Sequence, residues 1–464
     1  MDTDTLGLLD KMPLVEATWL LWEKVFPESA LNAFFESHRG ACYQRSFTFA
    51  NLVYLVNDAL CQHGGRARPM LNQHASSEHC PASEQAFYGK LRRMPVALSE
   101  AFLAEGSNLL RPWLAKRPDA EAPPSLRDFR ILVMDGKSFK HAAKRLKPVR
   151  GCAGRGLGGK ALVAMELSTG LLVGMTADPD AHANEAKLVP KLLPALRERL
   201  SVGINLWMAD QQFGDLAQVR RCTEQGDHCV LRLHPKSQFS PDATQPARQG
   251  VDAKGRAWTE EIGELHSTRQ GTLTMRRITL QRAGQKPLLI ITDLLDAEQY
   301  PANDLLELYR QRWGIEQVFQ KVSEVFHLNQ LIGSAPQAII FQGALCMMLY
   351  NLLQVVRGLI AETQDRPGSS ISTHQLLDDL KRGLVTLYFL ARPDQIIEAI
   401  RQRAATITDL RASLHERLSA AWTDRWNKSP PKKRHTKPIK HKRGAAGHFS
   451  IHRVLVESKK AKDV

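Results

Sequence analysis

The chain has 464 residues and a formal net charge of +15, and this length predicts two to four structural units. Hydrophobic residues make up 43% and charged residues 24%, which is typical of a soluble globular protein with a large core. The positive charge favours a polyanionic partner, whereas seven widely spaced cysteines without a CxxC pair argue against a disulfide framework or a zinc ribbon. The first residues lack the basic-then-apolar order of a signal peptide, so we expect a cytoplasmic protein.

Residues 1–125 are predicted to form a helical region. Apolar residues recur at helical spacing from Asn51 to Cys61, and a second helix is predicted from Ser83, which suits an N-cap, to Met94. This second helix could contact DNA, or it could be an ordinary amphipathic surface helix, and the pattern does not separate the two. We interpret the region as a whole as DNA-binding.

An α/β pattern with a mixed sheet follows Pro123-Pro124 and fills the predicted core, residues 126–335. Three strands, a helix, a strand, a helix and a strand are predicted in this order: Phe129–Met134, Lys160–Leu167, Leu171–Ala177, Glu185–Leu200, Ile204–Ala209, Asp215–Gln225 and His228–Leu233.

A β insertion is predicted at about residues 236–295, where the chain turns polar and then alternates. Its strands are Trp258–Leu265, Thr272–Gln281 and Pro287–Asp293. A helix is then predicted to start near residues 301–303 and to run past Phe326.

Residues 336–426 are predicted to be a helical C-terminal region. The stretch Val325–Val356 contains no Asp, Glu, Lys or Arg, so a membrane span has to be considered. Seven His, Asn and Gln side chains interrupt it, and we interpret it as a buried helix of a protein with no membrane partner. Residues 427–464 carry 12 Lys and Arg against two acids and are predicted to be a disordered basic tail.

Two aspartates stand at the ends of predicted strands. Asp135 follows Phe129–Met134 directly, and Asp210 follows Ile204–Ala209 in the same way. Ligand sites gather at the carboxyl ends of strands in open α/β sheets, and two carboxylates there could share divalent cations. A solvated turn residue is the alternative for each aspartate taken alone.

The helix predicted after the insertion carries a stripe of polar side chains. Tyr309, Arg312 and Glu316 lie at relative positions 0, 3 and 7, so they project from one helix face. Arginine suits bidentate phosphate contact, glutamate suits metal ligation, and tyrosine can stack on a base or bond a phosphate. An amphipathic surface helix with an Arg–Glu pair is the alternative.

Together these motifs resemble a DDE transposase of bacterial insertion sequences. The residues that carry the resemblance are Asp135 in MDGKSF, Asp210 in ADQQFGD, the segment IITDL, and the run YRQRWGIEQVF. The nearest group is the fourth insertion-sequence family, which has a Tyr-Arg-Glu-Lys signature. The resemblance covers about residues 125–335.

The resemblance implies an RNase H-like core in which Asp135, Asp210 and Glu316 ligate two Mg²⁺ or Mn²⁺ ions. It implies strand cleavage at the element's ends and transfer of the freed 3′-hydroxyl into target double-stranded DNA, with a dimer on the DNA. An RNase H-like nuclease without strand transfer and a catalytically inactive DNA-binding relative are the rival functions.

One position departs from the signature. The family's lysine falls seven residues after the glutamate, where this chain has Ser323, and Lys321 lies off the stripe. A serine can bond a phosphate oxygen but supplies no charge, so the expected number of neutralised phosphates falls by one.

A basic stretch follows the first aspartate. Residues 136–160 hold eight Lys and Arg and no acid. We predict that Lys137 and Lys140 contact DNA, as do Tyr309, Arg312 and Ser323. A solvated flexible loop is the alternative for this stretch.

Overall fold

The computed structural model of the chain describes residues 5–75, 83–115, 121–140, 142–200, 202–326, 331–428 and 447–460. Sixteen α-helices and twelve strands occur in these described ranges.

The first part of the chain is helical, as its periodicity predicts. Helix α4 begins after Thr48, whose side chain accepts a hydrogen bond from the Asn51 N–H in a capping box, and α6 begins after the N-cap Ser83. Lys90 on α6 is buried and donates to the Phe47 carbonyl at 2.7 Å, so part of the basic character of this helix serves packing. The helices are α1 (Thr5–Asp10), α2 (Pro13–Val25), α3 (Glu28–His38), α4 (Phe49–Cys61), α5 (Ala67–Gln73), α6 (Glu84–Arg93) and α7 (Val96–Leu110).

The part of the predicted core that precedes the insertion contains six strands and two α-helices. They are β1 (Phe129–Ser138), β2 (Arg155–Leu157), β3 (Lys160–Glu166), β4 (Leu172–Asp178), α8 (Val189–Arg199), β5 (Ile204–Ala209), α9 (Leu216–Cys222) and β6 (His228–Arg232). Strands β4, β3 and β1 are antiparallel neighbours, and β5 and β6 continue the sheet in parallel with β1. This strand order confirms the predicted RNase H-like α/β core.

The strands of the predicted insertion are β7 (Gln238–Pro241), β8 (Arg248–Val251), β9 (Ala257–Ser267), β10 (Gly271–Leu280) and β11 (Leu288–Thr292). Strand β11 pairs antiparallel with β6, so the insertion extends the core sheet to ten strands. The insertion is therefore continuous with the core and shares its hydrogen bonds.

Two hydrophobic layers cover the core sheet, one on each face. Alternate residues of β1 face opposite layers. Val133 faces the larger layer, to which the later helices α11 (Trp313–Val325) and α12 (Pro336–Thr363) contribute, whereas Leu132 and Met134 face the smaller layer with α8 and α9. The remaining helices are α10 (Ala302–Gln311), α11 (Trp313–Val325), α12 (Pro336–Thr363), α13 (Thr373–Leu390), α14 (Pro393–Thr406) and α15 (Leu410–Ala420).

The single helix predicted from residues 301–303 past Phe326 is two helices, α10 and α11, which meet at Arg312. Arg312 keeps helical dihedral angles, with φ −50° and ψ −36°, so the polar stripe persists across the junction.

Helix α12 is long and apolar enough to cross a membrane by length and composition, but its apolar window is entirely buried in the protein. It packs against α7, α15 and α6. A position in the core thus accounts for its composition.

The prediction of a disordered tail over residues 427–464 is wrong for the part at 447–460; residues 429–446 and 461–464 lie outside the described residues. The segment forms a strand, β12 (His448–Ser450), and a helix, α16 (Ile451–Lys460). Strand β12 pairs in parallel with β2, and Ile451 is fully buried. Charge counting missed this because a short apolar anchor and backbone pairing hold the segment despite its basic neighbours.

Candidate active site

The two aspartates predicted at strand ends lie on one face of the sheet. Asp210 follows β5 directly, whereas β1 continues to Ser138 through its pairing with β3, so Asp135 lies inside β1 just beyond its pairing with β5. In the parallel ladder Val133 pairs with Met208, and Asp135 and Asp210 each follow two residues later. Because side chains alternate along a strand and neighbouring strands lie about 4.8 Å apart, both carboxylates project on the side where α11 packs. The order of the residues therefore brings the two aspartates to adjacent positions at the same sheet edge.

The Asp135 carboxyl group is in an unfavourable place for a negative charge. Burial raises the pKa of Asp135 to about 7, although the Gly136 N–H, which donates to Oδ1 at 2.8 Å, and the Arg312 guanidinium both lower it. The charges of Asp210 and Glu316 raise this pKa further. The three predicted acids are thus close enough to influence one another electrostatically.

The polar stripe on the helices forms a connected group. The Arg312 Nη2 donates to Glu316 Oε1 at 2.8 Å, and the guanidinium lies 5.9 Å from the Tyr309 ring centre. The Tyr309 hydroxyl donates to the carbonyl of Ala209, the residue before Asp210, at 3.4 Å. Burial raises the pKa of Tyr309 to about 12, so its phenol stays protonated and remains a donor.

Arg312 is buried, like Tyr309 beside it. It is 6% exposed, and among the described residues its Nε and Nη1 atoms have no hydrogen-bond partner. Unsatisfied buried guanidinium donors are costly to leave unpaired. These two atoms are therefore candidates to bind an anionic ligand.

A cavity beside Asp135 and Glu316 is also lined by three other predicted site residues. Its lining includes Asp135, Lys137, Lys140, Glu316 and Ser323. Burial lowers the pKa of Lys137 to about 8, and its Nζ donates to Ser323 Oγ at 2.8 Å. Asp210 does not line this cavity.

The carboxylates do not form a ready metal cluster. Over the ranges that the structure describes, no three His, Cys, Asp or Glu side chains are grouped closely enough to hold a metal ion. Asp210 accepts a hydrogen bond from the Gln212 N–H at 2.9 Å, and Glu316 is bonded to Arg312. The two aspartates lie on one face of the sheet, and the charges of Asp210 and Glu316 both raise the pKa of Asp135. The three side chains are nevertheless not positioned to share one pair of cations, as had been predicted.

The donor set nevertheless fits a hard divalent cation. Three carboxylates supply the oxygen ligands that Mg²⁺ and Mn²⁺ prefer. The raised pKa of Asp135 has burial as its largest cause, so this carboxylate lacks compensating positive charge. A divalent cation would supply that charge.

Glu185 lies behind the first strand end, on the face opposite Asp135, and the sequence patterns did not indicate this. A Cβ on Gly136 would lie 2.1 Å from the Glu185 carboxyl carbon, so a larger residue there would displace the Glu185 side chain. Glu185 pairs with Lys160 at 3.1 Å. A glycine directly after a strand-end aspartate was the available signal, but nothing local identifies the side chain that fills its space.

The basic stretch after Asp135 is anchored at several points, which contradicts a simply solvated loop. Ala142 forms a β-bridge with Gly156, and the Arg155 N–H donates to the Gly447 carbonyl at 3.1 Å. Lys144 lies 5.3 Å from the Phe449 ring centre. The C-terminal segment thus holds this stretch beside the cavity.

The sheet order and the acidic strand ends define an α/β protein of RNase H-like topology. Residues 127–352 match the family described as Transposase DDE domain, and this match supports the prediction of a DDE transposase. None of the curated proteins matches the chain. Among solved structures, a piggyBac transposase in a synaptic complex with hairpin DNA, determined by cryo-electron microscopy, is similar with a TM-score of 0.41 and 11% identity, over 92% of this chain and 88% of that chain. A likeness at this level carries no argument about the site.

Proposed function

We propose that this protein is a transposase that cleaves DNA at the ends of a bacterial insertion sequence and joins the freed strands to target double-stranded DNA. The observation that carries the proposal is the electrostatic coupling of Asp135 with Asp210, Glu316 and Arg312, inside the region that matches a transposase DDE domain. The motif YRQRWGIEQVF supports assignment to the Tyr-Arg-Glu-Lys group of the fourth insertion-sequence family.

Asp135, Asp210 and Glu316 would hold Mg²⁺ or Mn²⁺. The bound ions would stabilise the charge that develops on the attacking and leaving oxygens during in-line phosphoryl transfer. For this, the Glu316 carboxylate has to exchange its bond with Arg312 for a ligating position, and Asp210 has to turn from the Gln212 amide. Both changes are side-chain rotations that leave the strand ends in place.

Arg312 and Tyr309 would orient the DNA backbone. The unpartnered Nε and Nη1 of Arg312 point their N–H groups in different directions, so each could donate to a separate phosphate oxygen. The Tyr309 phenol, which stays protonated, packs against this guanidinium. A phosphate bound here would also release Glu316 from its ion pair, because it would compete for the same guanidinium.

The basic surface would bind duplex DNA through its phosphates. Lys137 and Lys140 stand beside the acids, and the anchored stretch that follows continues the positive charge away from the cavity. We propose that the N-terminal helices add further DNA contacts, that two copies act together on the element's two ends, and that the protein works in the bacterial cytoplasm on nucleoid DNA.

The test is an assay of the purified protein with Mg²⁺ and DNA that carries the sequences flanking its gene, together with a labelled target duplex. We expect nicks with free 3′-hydroxyl ends and then joined strands, and we expect both to disappear with EDTA or in Asp135→Ala. Nicks without any joined product would favour the RNase H-like nuclease. If DNA binding persists while wild type and Asp135→Ala are equally inert, the protein is an inactive DNA-binding relative.

A further inference from the structure

The side chain of Lys137 crosses from the first strand to the helix that carries Glu316. Lys137 follows Asp135 by two residues on β1, so both side chains project on the same face of the sheet. Its Nζ lies 2.8 Å from Ser323 Oγ, 3.3 Å from the Phe319 carbonyl oxygen and 5.3 Å from the Phe319 ring centre. A cation anchored on the strand is therefore held at position 323 of the helix.

The direction of the hydrogen bonds defines what Ser323 does. Its hydroxyl donates to the Phe319 carbonyl at 2.7 Å, so the single proton of this hydroxyl is in use. The Oγ lone pairs are free to accept the N–H of Lys137. In this arrangement Ser323 does not donate to a phosphate but fixes the end of the lysine side chain.

The ammonium group keeps capacity for a ligand. It has three N–H donors, and Ser323 and the Phe319 carbonyl take two of them. Lys137 and Ser323 both line the cavity that contains Asp135 and Glu316. A phosphate oxygen that enters this cavity beside the acids would meet the third donor and the charge.

We propose that Lys137 supplies, from the strand, the phosphate-binding cation of the helix position occupied by Ser323, and that Ser323 is its positioning residue. This inference rests on the proposed function, because it takes the ligand to be a phosphate of the DNA strand that lies against Asp135 and Glu316. It reverses the expectation that the serine removes one neutralised phosphate. The positive charge is kept, but it reaches position 323 of α11 from Lys137 on β1.

The experiment measures how the DNA-binding constant of the full chain depends on salt, with a fluorescent duplex as the probe and Ca²⁺ in place of Mg²⁺. On logarithmic axes, Lys137→Met is expected to lower the slope by about 0.9, the value for one lost phosphate contact. Lys137→Arg is expected to keep the wild-type slope. Ser323→Ala is expected to keep the slope too, because no charge is lost, but to bind DNA more weakly at every salt concentration, because Lys137 loses its hydrogen-bond partner. The double variant Lys137→Met, Ser323→Lys is expected to recover the wild-type slope, because the cation then comes from the helix.

Lys254→Met, at an exposed turn of the insertion, is the matched control for loss of one lysine, and thermal unfolding verifies that each variant is folded. An unchanged slope in Lys137→Met would overturn the proposal. A DNA-binding constant in Ser323→Ala equal to that of wild type at every salt concentration would overturn the positioning role of Ser323.

Nicking in Mg²⁺ is measured on the same proteins to separate this inference from the proposed function. A wild-type protein that binds DNA but never cleaves it would refute the transposase activity, and the slopes would still decide whether Lys137 is a phosphate contact. Cleavage that survives with the predicted slopes overturned would refute only the role of Lys137.

Discussion

Two aspartates near opposite ends of the parallel strands β1, β5 and β6 differ in their hydrogen-bond partners. Asp227 precedes β6 and is 6% exposed, and its carboxylate accepts hydrogen bonds from Arg197 Nε at 2.8 Å, Asn205 Nδ2 at 3.0 Å and Trp207 Nε1 at 2.8 Å. Asp135 follows the buried part of β1, and among the described residues the one hydrogen bond to its side chain comes from the Gly136 N–H. The first carboxylate is surrounded by donors, whereas the second is half-buried and faces other acids.

The difference predicts a structural role for Asp227 and a functional role for Asp135. A buried carboxylate that is paired and fully hydrogen-bonded stabilises its surroundings, and removing one partner leaves an uncompensated charge. A buried carboxylate with few donors costs folding free energy, and such groups gather at functional sites. Asp227 is buried and Asp135 is half-buried, and the larger difference between them is in their hydrogen-bond partners.

The largest effect is expected for Asp135→Asn. Removing a metal-ligating charge should lower the rate of Mg²⁺-dependent cleavage by at least about 10³-fold, equal to ~4 kcal/mol of transition-state stabilisation. The free energy of unfolding should be unchanged or slightly higher, because an unfavourably buried carboxylate is lost. Single-turnover cleavage and urea unfolding of the same preparation measure the two; a large loss of stability would remove the contrast with Asp227.

The reverse pattern is expected for Asp227→Asn. Arg197 would lose its buried partner, so unfolding should become easier by about 3–5 kcal/mol. The cleavage rate per folded molecule should stay near that of wild type, because the site lies at the other end of the strands. Urea unfolding and activity at low temperature verify this, and a stable Asp227→Asn protein with no activity would contradict it.

Divalent cations should bind at Asp135 and Glu316 and thereby stabilise the folded protein. At ~100 times its dissociation constant, Mg²⁺ should stabilise the wild type by about 2.7 kcal/mol, seen as a higher melting temperature than in EDTA. The shift should be lost in Asp135→Asn and Glu316→Gln and kept in the control Asp242→Asn, an acid in the insertion. An equal shift in all four proteins would place the cations elsewhere.

The C-terminal segment allows a buried and an exposed residue of the same helix, α16, to be compared. Ile451 is fully buried, and burial of such a side chain contributes about 1.5–3 kcal/mol. Ile451→Asp should therefore speed hydrogen exchange of the Arg155 amide, which bonds to Gly447, by about 10- to 100-fold. Val456→Asp, on the same helix but 39% exposed, should leave this exchange rate nearly unchanged, and equal effects would contradict the docking.

The smallest effect is a pH dependence at the residue after Asp227. The hydrogen bond from the His228 side chain to Asp293, at 2.7 Å, raises the pKa of His228, although burial opposes it. The pair's contribution, below about 1 kcal/mol, is fully present below the unfolded pKa of about 6.5 and is lost as pH rises through the higher folded pKa. Unfolding free energies measured across that range should fall less steeply in His228→Gln; parallel curves would show that the pair contributes nothing.

Local patterns predicted much of the catalytic region. The buried strands before Asp135 and Asp210 follow from their apolar residues, and parallel pairing then sets both aspartates on one face. The end of the first strand was predicted too early, because pairing with β3 extends β1 to Ser138. The contact between Arg312 and Glu316 follows from helical spacing alone. These relations depend on the periodicity of side chains, which is two residues in a strand and 3.6 residues in a helix. A short stretch of chain is therefore sufficient to specify them.

The sequence by itself determined which acids follow the buried parts of the strands and which side chains share the helix stripe. Only the tertiary structure decided that Lys137 reaches Ser323, that Glu185 fills the space at Gly136, and that residues 448–450 pair with residues 155–157. Each of these contacts joins segments far apart in the chain, and no periodicity carries information across such a separation. Their geometry depends on how the helices and the sheet pack together, which is why a serine at a signature position suggests a lost charge until the strand beside it is seen.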